Sequence, residues 1–80
     1  MNNSLSLEEI KLARKIINLR GTSFIAKTNY LELTTETPTI LSLKEKKYIE
    51  PIKNGYQLTT KGIDQLRLQI GEFRFKQVGQ

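Results

Sequence analysis

The sequence contains no cysteine, no histidine and no tryptophan. Without cysteine, the chain cannot form a disulfide bond or a thiolate metal site. Without histidine, it also lacks a common transition-metal ligand and the side chain that most often acts as a base near neutral pH. No Gly-rich phosphate loop or nucleophile elbow is present either. The sequence therefore predicts a protein that is not an enzyme, with no catalytic residues, no metal site and no cofactor.

Long apolar runs are missing as well. None approaches the ~20 residues that a helix needs to span a bilayer. Residues 1–4 lack the basic and apolar regions of a signal peptide. We therefore expect no membrane partner and a cytoplasmic location.

The residues that are present suit one small basic domain. Of the 80 residues, 38% are hydrophobic and 26% are charged, which is enough for a single core. We predict one domain over residues 1–80, in which residues 71–80 form a tail or a dimerisation strand. The 13 Lys and Arg outnumber the 8 Asp and Glu, so the net charge is +5. Such a charge favours a polyanionic partner through long-range attraction.

The first helix has a clear start signal. Ser6 and Glu9 have the spacing of a capping box, in which each side chain accepts a hydrogen bond from the other residue's backbone N–H. Apolar residues then recur at helical spacing. The pattern predicts a helix from about Leu7 to Arg20, with Gly21 as its C-terminal stop.

Two more helices are predicted before residue 48. Thr22 and Ser23 can cap a short second helix that ends near residues 33–34. Polar residues followed by Pro38 indicate that a third helix begins at Glu36 or Pro38 and ends near Lys47. Residues 37–43 are also rich in β-branched side chains and could form a strand, but the good helix formers at 44–47 favour a helix.

A β-hairpin is predicted next. Residues 48–52 and 56–58 have strand character, and Asn54-Gly55 between them is typical of a type I′ turn. Pro51 confines the first of these strands to an edge or a bulge. Thr59 then caps a final helix that ends at Gly71.

The chain after Gly71 leaves several interpretations open. Residues 72–78 could form a short strand, an extension of the final helix, or a partly ordered tail. In an extended strand, Phe73 and Phe75 share one face. They could cover the domain's own core, or they could form a homodimer contact in which two copies of the strand pair.

The order helix, helix, helix, hairpin, helix predicts a mainly α fold with a small β-hairpin. This order is that of a winged helix-turn-helix, with a three-helix core, a two-stranded wing and a C-terminal helix.

Two segments resemble MarR-like and PadR-like winged-helix regulators. Leu43-Lys44-Glu45-Lys46-Lys47-Tyr48-Ile49 is similar to the end of their recognition helix. Tyr56-Gln57-Leu58-Thr59-Thr60-Lys61-Gly62 is similar to the segment that leaves their wing. The resemblance covers about Leu7 to Ile70 and implies the same fold. The sequence departs from the pattern at Lys47, where these families commonly have glycine, and by about two residues fewer before the third helix.

The third helix and the wing supply the predicted DNA-binding residues. If Ile40 is at the centre of the buried face of the third helix, polar residues occupy the opposite face. Hydroxyl, amide and ammonium groups can bind phosphates or base edges. The candidates from this face, from the wing tip and from the start of the last helix are Thr35, Thr39, Ser42, Lys46, Lys53, Asn54 and Lys61.

The predicted function is sequence-dependent binding of double-stranded DNA, as a small transcriptional regulator or a DNA-control protein of a mobile element. The third helix would enter the major groove, with modest specificity because it has no Arg to read bases. The alternative is a winged-helix module for protein–protein assembly without DNA binding, because a fold does not determine a function. Lys11, Arg14 and Lys15 on the first helix are interpreted mainly as ion-pair partners of Glu8 and Glu9.

Overall fold

The computed structural model describes residues 4–32 and 35–76, and these residues form three helices and five strands. A three-stranded antiparallel sheet has the order β2–β4–β3, and β1 pairs with β5 in parallel. The fold is therefore α/β with two small sheets, and the predicted mainly α winged helix-turn-helix is wrong. The elements in chain order are α1 (Leu7–Ile16), β1 (Ile25–Ala26), β2 (Leu31–Glu32), α2 (Pro38–Glu45), β3 (Ile49–Ile52), β4 (Gly55–Leu58), α3 (Thr60–Ile70) and β5 (Arg74–Phe75).

Helix α1 starts as predicted but ends earlier. Ser6 and Glu9 form the capping box, with each side chain accepting the other's backbone N–H. The helix stops at Ile16 because Asn18 adopts a left-handed conformation with φ of 59°. The Leu19 amide then donates to a carbonyl one turn earlier, as in a Schellman motif. Asparagine tolerates this conformation better than most residues, so the helix ends here and not at Gly21, the predicted stop.

The predicted second helix does not form. Its residues are extended instead, in β1 and β2 and the segment between them. The backbone amides of Lys27 and Thr28 donate to the carbonyl of Ile17, and the Tyr30 amide donates to the carbonyl of Ile16. These bonds satisfy carbonyls that the end of α1 leaves open. This tertiary gain adds to the β preference of a Thr-, Phe-, Ile- and Tyr-rich segment and outweighs the helix-cap signal.

The predicted third helix is confirmed and is α2 of the structure, with Thr37 as its N-cap and Pro38 at its first position. It ends in a second Schellman motif, in which the Tyr48 amide donates to the carbonyl of Leu43 at 2.9 Å. Lys47 occupies the left-handed position of this motif, with φ of 63°. Glycine would adopt this conformation without the strain that a Cβ atom brings.

The hairpin of β3 and β4 is confirmed, but its turn lies one residue earlier than predicted. Ile52 pairs with Gly55, so Lys53 and Asn54 form the turn, and Asn54 has φ of 63°. Gly55 belongs to β4 and is needed for another reason. A Cβ atom there would overlap the carbonyl oxygen of Leu31 in β2. Glycine therefore allows the third strand to approach.

Helix α3 begins after its Thr59 cap and ends at Gly71, as predicted. The chain then forms β5. Phe73, the residue directly before this strand, is only 2% exposed and packs in the domain's own core. Phe73 therefore covers the domain's own core, which is one of the two roles predicted for it. A homodimer contact through Phe73 and Phe75 stays a prediction. Val78, in the predicted tail, lies outside the described residues.

A single apolar core joins all three helices and both sheets. No helix among the described residues is long and apolar enough to cross a membrane. The buried residues that form the core are Leu5, Ala13, Ile16, Ile17, Leu19, Ala26, Ile40, Leu43, Tyr48, Ile49, Tyr56, Leu58, Leu66 and Phe73.

Candidate nucleic-acid interface

Two of the predicted DNA-binding residues, Ser42 on α2 and Lys46 at its C-cap, contact α1. Ser42 Oγ donates to Oε2 of Glu9 at 2.7 Å, and Lys46 Nζ lies 2.9 Å from Oε1 of the same carboxylate. Lys46 also donates to the carbonyl of Ser4 at 3.3 Å. Ser42 and Lys46 therefore hold α2 against the start of α1.

Glu9 is the centre of this contact and is 3% exposed. Its burial acts to raise its pKa. The hydrogen bonds from the Ser6 amide, Ser42 and Lys46, together with the Lys46 charge, outweigh burial and lower the pKa below the ordinary value. We call Glu9, Ser42 and Lys46 the Glu9 cluster. The cluster contains an ionised carboxylate near neutral pH.

A second basic residue of α2 is also paired. Lys44 Nζ donates to Oε2 of Glu36 at 2.7 Å and lies 5.8 Å from the ring centroid of Tyr56. The hydrogen bond from Lys44 and its charge lower the pKa of the Glu36 carboxyl. The exposed residues of α2 are Pro38, Leu41 and Glu45. The outward side of α2 is therefore not basic.

The predicted residues of the hairpin and of α3 lie on other segments. Lys53 and Asn54 form the exposed hairpin turn, and the Asn54 carbonyl accepts a 2.6 Å hydrogen bond from the Tyr30 hydroxyl. Lys61 lies on the first turn of α3, with its ammonium 5.4 Å from the ring centroid of Tyr48. The seven predicted residues thus occupy four segments, and part of the set makes internal contacts.

The largest group of neighbouring cations lies on α1 and the turn that follows it. Arg14 Nη2 donates to the carbonyl of Gly21 at 3.1 Å, and Arg20 Nε donates to Oδ1 of Asn18 at 2.8 Å. These bonds hold both guanidinium groups at the rim of an open concavity of about 450 Å³. We call its four cations the α1 basic surface: Lys11, Arg14, Lys15 and Arg20.

Carboxylates balance little of this charge. Glu8 approaches Lys11 at 3.8 Å, and both side chains are 73% exposed. Such an exposed pair is weak. Glu9 belongs to the Glu9 cluster and forms no ion pair with the α1 basic surface. All acidic and basic residues of the chain lie in the described ranges, so three of these four cations have no ion-pair partner there.

The free charge of this surface was not predicted, because Glu9 was expected to form ion pairs with the cations of its own helix. The capping box was the signal to the contrary, since it directs the Glu9 carboxylate towards the helix start and away from Arg14. Arg20 was expected inside the helix. It lies instead in the following turn, where it joins the rim.

The α1 basic surface continues to the start of α2. Lys11 and Lys15 also line a neighbouring concavity with Thr37 and Thr39. Lys15 lines a third one, which includes Thr35 and the carboxylate residue Glu32; Glu32 forms no ion pair with Lys15. Two predicted DNA-binding residues, Thr35 and Thr39, therefore border this surface. Their hydroxyl groups can accept or donate hydrogen bonds beside the cations.

Chemically, the arrangement can bind extended anions. No group of three or more Asp and Glu residues within the described parts of the chain is placed to hold a metal ion. Comparison of the chain with protein-family models, curated proteins and solved structures finds no match.

Proposed function

We propose that this domain binds double-stranded DNA and that the α1 basic surface contacts the phosphate backbone. The observation that carries the proposal is the group of four neighbouring cations with one exposed, loosely paired carboxylate. A surface of this kind attracts a polyanion over long range. On binding it releases counterions condensed on the phosphates, which supplies much of the affinity for DNA.

The composition of the surface favours a duplex over a single strand. Proteins that bind single strands commonly combine basic grooves with aromatic side chains on which bases stack. The three concavities that Lys15 lines contain no aromatic residue. Backbone contact with a duplex needs cations and hydrogen-bond donors only, and this surface provides both.

Sequence specificity is expected to be modest. The outward side of α2 presents Pro38, Leu41 and Glu45, which are poor readers of base edges. Thr35 and Thr39 can add contacts to phosphates or bases at the border of the α1 basic surface. Most of the affinity should therefore be independent of the DNA sequence.

The test is the affinity of the chain for a fluorescent 20-base-pair duplex over a series of salt concentrations. The double variant Lys11→Gln/Lys15→Gln should lower the slope of log K against log salt by about 1.8, because each phosphate contact contributes about 0.9. The variant Lys53→Gln/Lys61→Gln removes the same charge from the hairpin turn and α3, and a smaller change is expected. Lack of wild-type binding at low salt would contradict DNA binding. A larger loss in the second variant would move the interface to the hairpin.

A protein-assembly function is the second candidate. Leu7 is 76% exposed and Leu68 is 79% exposed, so both large apolar side chains are open to a protein partner. The variant Leu7→Ser/Leu68→Ser separates the two functions. Under our proposal it binds the duplex like the wild type. A change in solution mass on this substitution, without duplex binding by either chain, would favour assembly.

A further inference from the structure

The outward face of the β1–β5 pair carries a second group of cations. In this parallel pair, Ile25 lies beside Arg74 and Ala26 lies beside Phe75. Because side chains alternate along a strand, Ala26 turns inward and is fully buried, whereas Ile25 and Arg74 turn outward. The Lys76 amide donates to the Ala26 carbonyl at 2.8 Å, which continues the pairing by one residue.

We call this outward side the ladder face. Its residues alternate with inward-facing residues along both paired segments. All are exposed, and the apolar one is 39% exposed. They are Ile25, Lys27, Arg74 and Lys76.

The three cations of the ladder face have no ion-pair partner among the described residues. The nearest acidic residue in sequence, Glu72, lines a concavity on the Phe24 side together with Arg74. A separate concavity at the other end is lined by Ile25, Arg74 and Lys76 together with the edge of Phe75. Three cations without an ion-pair partner in the described part of the chain surround Ile25, with Phe24 and Phe75 at the borders of the face. The excess of positive charge favours an anionic chain as the partner.

The backbone beneath the ladder face is bonded to the end of α1. The Lys27 amide donates to the Ile17 carbonyl at 2.9 Å. The next residue, Asn18, already lines the concavity of the α1 basic surface. One end of the ladder face is therefore held directly against the segment that carries Arg20.

We propose that the ladder face is a second contact for the DNA backbone, so that the duplex crosses both the α1 basic surface and the β1–β5 pair. This inference rests on the proposed DNA binding. Arg74 can bind a phosphate through two N–H groups, Lys27 and Lys76 act as point charges, and Ile25 contacts the sugars between phosphates. None of these groups reads bases, so the contact adds affinity without sequence preference.

The test compares two triple variants on the same 20-base-pair duplex. Lys27→Gln/Arg74→Gln/Lys76→Gln removes the ladder cations. Lys47→Gln/Lys53→Gln/Lys61→Gln removes the same charge from exposed positions elsewhere. We expect the salt slope to fall by about 2.7 in the first variant and by less than about 1 in the second. Circular dichroism melting checks that both variants fold.

The outcomes separate the two proposals. If the wild type binds, the Lys11/Lys15 variant loses slope, and the ladder variant keeps the wild-type slope, then the ladder inference fails and DNA binding stands. Equal losses in both triple variants also overturn it, since net charge alone would explain them. If the wild type does not bind duplex DNA, both proposals fail. Ladder-dependent binding to phosphatidylglycerol vesicles without duplex binding would indicate a lipid surface instead and overturn the inference.

Discussion

Helix α1 carries three basic residues, and three lie at or directly after the end of α2, yet only α1 presents a basic surface. On α2, Lys44 pairs with Glu36 and Lys46 pairs with the buried Glu9. On α1, Lys11 alone has a partner, and that pair is long and exposed. The number of cations on a helix therefore says little about its attraction for a polyanion. The positions of the carboxylates decide it, and Glu9, one of the two carboxylates that pair with these lysines, comes from α1.

The largest effect is expected from removing that carboxylate. Glu9→Ala leaves Ser42 and Lys46 without their shared partner and removes half of the capping box. We expect the free energy of unfolding to fall by about 2–3 kcal/mol, as for other broken buried pairs that are partly open to solvent. Urea denaturation at pH 7 measures this. The matched control is Glu8→Ala at the exposed neighbouring position, with a change within about 0.5 kcal/mol. Equal effects would show that the Glu9 cluster does not hold the two helices together.

The pH dependence of the free energy of unfolding should show how much the Glu9 carboxylate of α1 contributes to the contact with α2. The pKa of Glu9 is lowered in the folded chain, so its contribution is present above the unfolded pKa and is lost as pH falls through the folded one. We expect the urea midpoint of the wild type to fall as the pH drops below the ordinary pKa of a glutamate, about 4.3. Glu9→Gln should be less stable at pH 7 and show a shallower fall. An identical pH profile in Glu9→Gln would assign the acid sensitivity to other carboxyls.

The difference in free charge can be tested with one residue from each helix. Lys15→Gln should reduce the salt slope of duplex binding by about one, with up to about tenfold weaker binding near 0.1 M salt. Lys44→Gln should leave the slope nearly unchanged, because Glu36 already neutralises that charge. Fluorescence anisotropy gives both slopes. If Lys44→Gln loses as much as Lys15→Gln, the two helices do not differ in the way that their ion pairs indicate.

The smallest effects concern the ends of the two helices. Both end in a Schellman motif with a left-handed residue, Asn18 after α1 and Lys47 after α2. The left-handed conformation is less favourable in free energy for a lysine than for an asparagine. Lys47→Gly should stabilise the fold by about 0.5–1 kcal/mol, and Asn18→Gly should change it by only a few tenths. The urea midpoints measure both. A loss of stability in Lys47→Gly would mean that the lysine side chain contributes more than its backbone costs.

Local signals were sufficient for most of the helices and for the hairpin. The Ser6 capping box, Thr37-Pro38, the Thr59 cap and the stop at Gly71 each act within a few residues, so they can be read without knowing the rest of the chain. They failed at Thr22 and Ser23. The cap signal there was real, but the carbonyls at the end of α1 offered the segment better partners in an extended form.

The candidate site was predicted in part. The positive charge follows from the composition, and Thr35 and Thr39 were predicted to bind DNA because of their hydroxyl groups. Both residues border the α1 basic surface. Ser42 and Lys46 were expected to face DNA because they lie opposite Ile40 on a helical projection. A projection of one helix does not show what packs beside it.

The sequence by itself determined where α1, α2 and α3 begin, that a hairpin lies between α2 and α3, and the excess of positive charge. These depend on backbone preferences and on hydrogen bonds between residues close in the chain. Only the tertiary structure decided that β1 pairs with β5 and that Glu9 binds Lys46. Those contacts join residues 37 or more positions apart. The cost of closing such loops is repaid only when the whole core assembles, so no local pattern announces which distant groups will meet. These distant pairings set which cations remain free.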